Sequence, residues 1–244
     1  MTIRSDLLKH KILVNRYARG RSNKLEKNLG NLRNYVIRQV NKFGSLSTKQ
    51  INKLHEILTK SLAPIVANQL NGIKNYYDYE AKFSAKVFKK HYKTDKLELP
   101  KSNNKDIEKI KTSFVILGAE KTLEASFDSF TTNKINSTIQ ILKDAQVNRA
   151  EPEMLIQSIY NLYNGQVKTQ AKTLVLNAVL STMQKVRDDI KELNDIPIER
   201  VVWAVDLDSN ICDYCLDLDG EVFEWGDNPP CPAHANCNCE LIPL

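Results

Sequence analysis

Sulfur and imidazole crowd into one short stretch of this chain. All five cysteines and one of the four histidines lie between Cys212 and Cys239, and the first 211 residues contain no cysteine. The stretch reads Cys212-Asp213-Tyr214-Cys215, then an acidic turn around Asp219, Gly220 and Glu221, then Pro229-Pro230-Cys231-Pro232-Ala233-His234-Ala235-Asn236-Cys237-Asn238-Cys239. Such a cluster suits either a disulfide framework or a metal centre. The odd number of cysteines argues against the first. The opening residues, MTIRSDLLKHKILVNRYAR, are interrupted by charge every few positions and lack the apolar core of a signal peptide. The expectation is therefore a reducing compartment, where thiols bind metal rather than one another.

Cys212-x2-Cys215 has the spacing of a structural zinc knuckle, and His234-x2-Cys237 offers a second of matching spacing. Thiolate and imidazole donors with no carboxylate among them suit a closed tetrahedral Zn²⁺ site, a staple rather than a catalyst. Six residues compete for four positions. Cys212, Cys215, Cys231 and His234 make one admissible set, two pairs separated by fifteen residues. Cys237 and Cys239 are two apart, so if 237–241 is a strand they point to the same face and compete for one position. The alternative is that all five cysteines are reduced, buried small hydrophobes.

The elements that must position this cluster change character along the chain. Up to about Leu193 the pattern is helical. Ser5 can cap a helix through about Ala18, Gly20 ends it, and a second helix follows from about Asn23 to Phe43 with Gly30 as its weak point. After a break at Gly44-Ser45, Ser47 and Gln50 form a capping box ahead of the stripe Ile51, Leu54, Leu58, Leu62, Ile65, Val66, Leu70 and Ile73. Pro64 should kink or divide that stripe, and helix should resume through Tyr76, Tyr77, Tyr79, Phe83, Val87 and Phe88 to about Tyr92. The aromatic row reads as core or interface rather than as a platform for bases. Residues 93–106 form an exposed loop.

Two further helices are expected over 107–130 and 133–150. Glu151-Pro152-Glu153 marks a fresh helix start, Asn164-Gly165 a turn, and a long helix then carries Val167, Ala171, Leu174, Ala178, Met183, Val186, Ile190 and Leu193. From residue 199 the run Val201-Val202-Trp203-Ala204-Val205 reads as a strand, Asp208-Ser209-Asn210 as the cap of a helical turn, and 221–224 and 240–242 as two more short strands. So few strands cannot bury a core alone, and a metal would replace the missing hydrophobic stabilisation. The fold class expected is mainly α, with long helices over about residues 5–193 and a small C-terminal α+β module stapled by zinc. The chain divides into a basic helical region 1–95, a loop and middle helices 96–150, and a region 151–244 that ends in the zinc module 199–244.

Charge is strongly polarised. Residues 1–50 carry twelve Lys and Arg against two acids, a net of +10, whereas 201–244 carry nine acids and no Lys or Arg. The basic arm suits nucleic acid phosphates or an acidic protein surface, or is a solvated helix face. The acidic module should be repelled by phosphate. No run of some 18 apolar residues exists to span a membrane. Enzyme signatures are missing as well: there is no His-Glu-x2-His, no Gly-rich phosphate loop, no Gly-x-Ser-x-Gly, and no His-x-Glu ahead of Pro230-Cys231 to complete a zinc deaminase site.

Taken in order, Trp203, Asp208-Ser209-Asn210-Ile211-Cys212-Asp213-Tyr214-Cys215, Leu218-Asp219-Gly220-Glu221-Val222-Phe223, Pro229-Pro230 and His234-Ala235-Asn236-Cys237-Asn238-Cys239 resemble the phage head morphogenesis, or minor head, proteins typified by protein F of phage Mu. The family pattern is a Trp, an Asp before Cys-x2-Cys, a Leu-Asp-Gly-x-Val-Phe turn, then Pro-Pro-x-His-Pro-Asn-Cys-Arg-Cys. Gln170 to Leu174 sit where the family has an Ala-Arg-Thr-Glu segment. The likeness covers roughly 150–244 and departs at Ala235, Asn238, Lys172, Leu174 and the extra Cys231. Since Cys231 falls at a position variable in the family, the resemblance favours Cys212, Cys215, His234 and Cys237 as metal ligands, with Cys239 as the alternative to Cys237.

The resemblance implies a low-copy, non-enzymatic virion protein inside the capsid at the portal vertex, present in host cytoplasm during assembly. Its implied partners are the portal protein and other capsid-interior proteins, with multiple copies around the portal ring and packaged double-stranded DNA contacted by the basic N-terminal region. Its implied roles are head assembly or DNA packaging, with ejection alongside the DNA. The competing expectation is a cellular zinc-ribbon module that binds protein or nucleic acid, and the charge of the zinc segment disfavours nucleic acid.

Overall fold

Seven apolar side chains of the first helix, α1 (Ile3–Phe43), are buried in two interleaved series of period eleven: Leu7, Ala18, Leu29 and Val40, and Val14, Leu25 and Val36. Eleven residues make three turns at about 3.67 residues per turn, so this spacing keeps the stripe on one side of the helix. That explains why Gly20 and Gly30 do not interrupt α1, although Gly20 was expected to end it. Each glycine costs about 1 kcal/mol relative to Ala, whereas each buried Leu or Val contributes about 1.5–3 kcal/mol. Thr2, not Ser5, caps the helix, accepting a hydrogen bond from the Ser5 amide at 3.3 Å. Gly44, at φ +69°, takes the left-handed conformation that ends it.

This computed structural model describes residues 2–94, 96–114, 119–205, 211–234 and 237–244. α2 (Thr48–Lys60) opens with the expected capping box, in which Gln50 Oε1 lies 2.8 Å from the Ser47 amide. Pro64 falls in the first turn of α3 (Leu62–Tyr92), so the long apolar stripe is divided at Ser61. Proline there forgoes an amide that the helix start leaves without an intrahelical partner in any case. After a short α4 (Asn104–Lys109), the chain forms an antiparallel hairpin of β1 (Lys111–Phe114) and β2 (Ala119–Thr122), pairing Lys111 with Thr122 and Phe114 with Ala119.

The hairpin replaces the front half of the helix expected over 107–130. Four of the six residues from Thr112 to Leu117, namely Thr112, Phe114, Val115 and Ile116, are β-branched or aromatic, and such composition favours a strand over a helix when the apolar spacing fits both. A single helix, α5 (Leu123–Asn148), then spans the break expected at 131–132. Buried Thr131 is accommodated because its hydroxyl donates back to the Phe127 carbonyl at 2.8 Å. α6 (Pro152–Asn164), with Pro152 in its first turn, and α7 (Gln166–Leu193) match expectation. The molecule is mainly α-helical with a small C-terminal α+β module: β3 (Arg200–Ala204), α8 (Asp213–Asp217), β4 (Val222–Glu224) and β5 (Glu240–Pro243). The cap expected at Asp208 to Asn210 lies outside the described residues.

Packing groups the chain into two units. One comprises 20–69 and 124–172. It is cored by apolar side chains such as Leu29, Ile51, Leu58, Phe127, Ile139 and Ile159, and its helices α5 and α6 are joined by a buried hydrogen bond of 3.0 Å between Thr138 and Tyr163. The other comprises 1–19, 70–123 and 173–244, so both flanks of the 93–103 stretch belong to it. Its central helix segment is buried continuously from Asn177 to Met183, as expected of a helix surrounded by protein. This unit carries the cysteines.

Candidate metal centre

The C-terminal sheet has the order β4-β3-β5, all antiparallel. Alternation along its strands sends odd and even residues to opposite faces. On one face Val201, Trp203, Val205 and Leu241 pack with Cys215, Cys237 and Cys239, flanked by partly buried Ile211, Cys212, Phe223 and Cys231. Two backbone bonds tie the acidic turn to the central strand: the Gly220 amide donates to the Trp203 carbonyl and the Trp203 amide to Glu221, each at 2.9 Å. Gly220 has φ +84°, a conformation that a side chain would strain.

Each x2 pair is closed by a hydrogen bond between its two end residues. Cys212 is the N-cap of α8, and its sulfur accepts a hydrogen bond from the Cys215 amide at 3.4 Å, which turns Cys215 inward. In the second, the Cys237 amide donates to the His234 carbonyl at 3.0 Å. Cys237 and Cys239 precede β5 rather than lying in a strand, yet both are buried against the same cluster. The result is two overlapping groups of donors, Cys212 with Cys215 and His234, and Cys215 with Cys237 and Cys239, each with its ligand atoms within 4.8 Å of one another. Cys215 belongs to both. Cys231 belongs to neither, although it packs beside them.

The donors fit a metal ion. His234 Nε2 lies 3.0 Å from the sulfurs of both Cys212 and Cys215, and Cys215 Sγ lies 3.8 Å from Cys237 Sγ. A tetrahedral ion with metal–sulfur bonds of about 2.3 Å needs sulfurs about 3.8 Å apart, and slightly less between sulfur and nitrogen. The thiol pair therefore already has the required separation, and the imidazole needs only a small outward shift. Proton affinities are divided across the group. The Cys239 thiol, donating to Cys237 against the opposing effect of burial, holds Cys237 down at about 5, and backbone amides add to the effect. Burial and the neighbouring Cys237 push Cys215 up to about 12, and Cys239 is raised by the bond it gives Cys237 and by burial. Burial likewise raises Cys231. One thiolate is thus favoured without an ion, and further thiolates require a cation's charge.

The opposite face of β5 holds chemistry that sequence reasoning missed. Glu240 is 1 % exposed, and its carboxylate lies 2.6 Å from Arg187 Nη1 of α7 and 3.9 Å from Lys11 Nζ of α1. Arg187, fully buried, also approaches Glu80 of α3 at 3.8 Å. Glu80 in turn receives Tyr76 Oη at 2.9 Å, Ser84 Oγ at 2.8 Å and His10 Nε2 at 2.6 Å. Lys11 also donates to the carbonyl of Asn238, the residue between Cys237 and Cys239. Burial alone would raise the Glu80 carboxyl, but the His10 hydrogen bond and the charge of Arg187 more than offset it and hold it below the ordinary range. The available signal was polar residues seated within apolar stripes: Lys11 between Leu7 and Val14, Glu80 among Tyr76, Tyr77 and Phe83, and Arg187 beside Met183, Val186 and Ile190.

A cleft of about 1240 Å³ lies beside these clusters, lined in part by Tyr77, Asp106, Asp188, Glu192, Trp225 and Cys231. Burial pushes Asp188 up to about 6. Several basic residues of the N-terminal arm are engaged within the protein: Lys11 as above, Arg21 with Gln69 at 3.0 Å, and Arg33 with Asn164 at 2.7 Å and over the Tyr160 ring. No helix among the described residues is long and apolar enough to cross a membrane. No protein-family profile, curated protein or solved structure matches this chain.

Proposed function

We propose that this chain is a zinc-stapled structural protein of a phage head. In this reading it is a minor head protein, held at the portal vertex inside the capsid in several copies around the portal ring, where it aids assembly or DNA packaging before leaving with the DNA. The observation that carries the reading is the grouping of four further thiol and imidazole donors with Cys215, drawn from the same Cys- and His-bearing segments that carry the resemblance to minor head proteins. Soft donors in a mostly buried setting favour Zn²⁺ over hard cations, with Cys212, Cys215, His234 and Cys237 as ligands and Cys239 beside them. A closed set of this kind leaves no open position for substrate, and metal-held thiolates make poor nucleophiles, so the centre serves stability.

The remaining bases of the N-terminal region fit the same role. Lys24, Lys27, Arg38, Lys42 and Lys49 are exposed and suit non-specific contact with the phosphates of packaged DNA. The long helices with their buried stripes offer surfaces for other capsid-interior proteins.

The test has two arms. Elemental analysis of purified protein is expected to find one zinc per chain; protein that carries no metal after purification with zinc present would remove the staple. Quantitative mass spectrometry of virus particles from an infected culture is expected to find this chain at a fixed low ratio to the portal subunit. Its absence from particles and from their assembly precursors would remove the head assignment while leaving the staple standing.

A further inference from the structure

Two exposed patches in the cysteine-bearing unit are opposite in charge and alike in apolar content. On α1, Arg4, Leu8, Ile12 and Arg16 follow one another at four-residue intervals along one exposed face, with Leu13 at its margin. The one acid of this stretch, Asp6, is turned away, 2.6 Å from Lys90 and 2.9 Å from His91. The second patch is α8 and the start of β4. Because Cys215 points inward, Asp213 and Asp217 face outward with Tyr214 and Leu216 on either flank, and Val222 stands beside exposed Glu221. Leu8, Ile12, Leu13, Tyr214, Leu216 and Val222 are all between 40 and 57 % exposed.

We propose that copies of this chain associate head to tail, the basic and apolar face at residues 4–16 of one copy receiving the acidic and apolar knuckle at residues 213–222 of the next. Large apolar side chains grouped within a charged rim mark a protein interface. Phosphate contact has no use for Leu8, Ile12 or Leu13, so nucleic acid is the poorer occupant of the face. The knuckle lies in a segment of nine acids with no Lys or Arg, so local sequence offers it no counter-charge. The α1 face supplies both the charge and the apolar surface that it lacks. Since the two patches are different surfaces, the contact is heterologous and repeats into a ring or an open chain. The inference depends on neither the identity of the metal nor the virion assignment.

Sedimentation velocity of the full-length, metal-loaded protein tests it, over roughly 1–200 µM and at about 50 and 500 mM salt. Concentration-dependent association that weakens with salt is expected. Two exposed-site variants, Ile12→Glu with Arg16→Glu and Leu216→Lys with Asp217→Lys, should each weaken self-association by about tenfold or more, with helicity and metal content unchanged. Mixing them should restore the contact, because one retains the knuckle and the other the face. Three results would each overturn the proposal: a wild-type protein monomeric throughout, variants that associate as wild type does, or a mixture that fails to pair.

Discussion

The two faces of β5 bury polar chemistry in opposite ways. On one, Cys239 and Leu241 face a cluster of thiol and imidazole donors in which one thiolate is already favoured and the other thiols are held protonated largely by burial. On the other, Glu240 meets Arg187 and Lys11, charges already balanced by the protein itself. The sulfur side has the donors to take up an added ion. The ionic side needs only the fold, because α1, α3 and α7 each bring part of it. Lys11 connects the two, since its ammonium holds the Asn238 carbonyl within the ligand loop while lying near Glu240. The carbonyl between the two cysteines is thereby held from behind by an ion cluster, and such preorganisation would lessen the conformational entropy lost on binding an ion.

The largest expected effect breaks the sulfur side. Cys215→Ala removes the one residue common to both donor groups, so bound metal should be lost together with the module's cooperative unfolding. Structural zinc contributes on the order of 10 kcal/mol in small modules. Cys239→Ala should instead retain one metal equivalent with weaker affinity. Elemental analysis and hydrogen exchange across β3 to β5 check both. If Cys215→Ala keeps its metal and its protection, the sulfur side is ordinary packing and the contrast between the faces disappears.

An intermediate effect breaks the ionic side. Glu240→Gln removes the carboxylate charge 2.6 Å from fully buried Arg187 and leaves Glu80 at 3.8 Å as its remaining acidic partner, and breaking a buried ion pair costs about 3–5 kcal/mol. Urea unfolding should show the loss with metal content near wild type. Replacing Arg187 and Glu240 together by Met and Leu should recover most of it, because the pair's own net contribution is small once desolvation is counted. Failure of that recovery would mean that Glu80 and Lys11 depend on the pair, and that the cluster acts as one network.

How much of this was legible in sequence differs between the faces for a physical reason. Metal ligation is written in local spacing, so Cys212-x2-Cys215 and His234-x2-Cys237 announce their knuckles to anyone counting residues. Burial of Glu80, Arg187 and Glu240 depends on which helices meet, and residues 11, 80, 187 and 240 are joined only by the fold. The same division holds for the elements. Caps and prolines act within one turn, so Ser47 and Pro152 marked helix starts correctly. Gly20 misled because the stripe that overrides it runs the full length of α1, and the 111–122 hairpin was missed because its apolar spacing also fits a helix.

The smallest effect separates the ionic side from the adjoining cleft by pH. Glu80 titrates below its ordinary value of 4.5 in the folded protein. Its stabilisation is therefore complete above that value and is lost as pH falls through the folded value. Asp188, one residue beyond Arg187, is raised to about 6, which has the opposite sign. Its ionised form strains the fold at neutral pH, and protonation as pH falls through 6 relieves that strain. Thermal midpoints should then rise slightly from pH 8 to 5 and fall below about pH 4.5, with metal content followed in parallel so that ligand protonation is not mistaken for either limb. Asp188→Asn should flatten the upper limb and leave the lower one. Glu80→Gln should lower the midpoint at neutral pH and shrink the acid limb. A protein whose upper limb survives Asp188→Asn would place that titration in the ionic cluster itself, and the balance of charge behind β5 would then be incomplete at neutral pH.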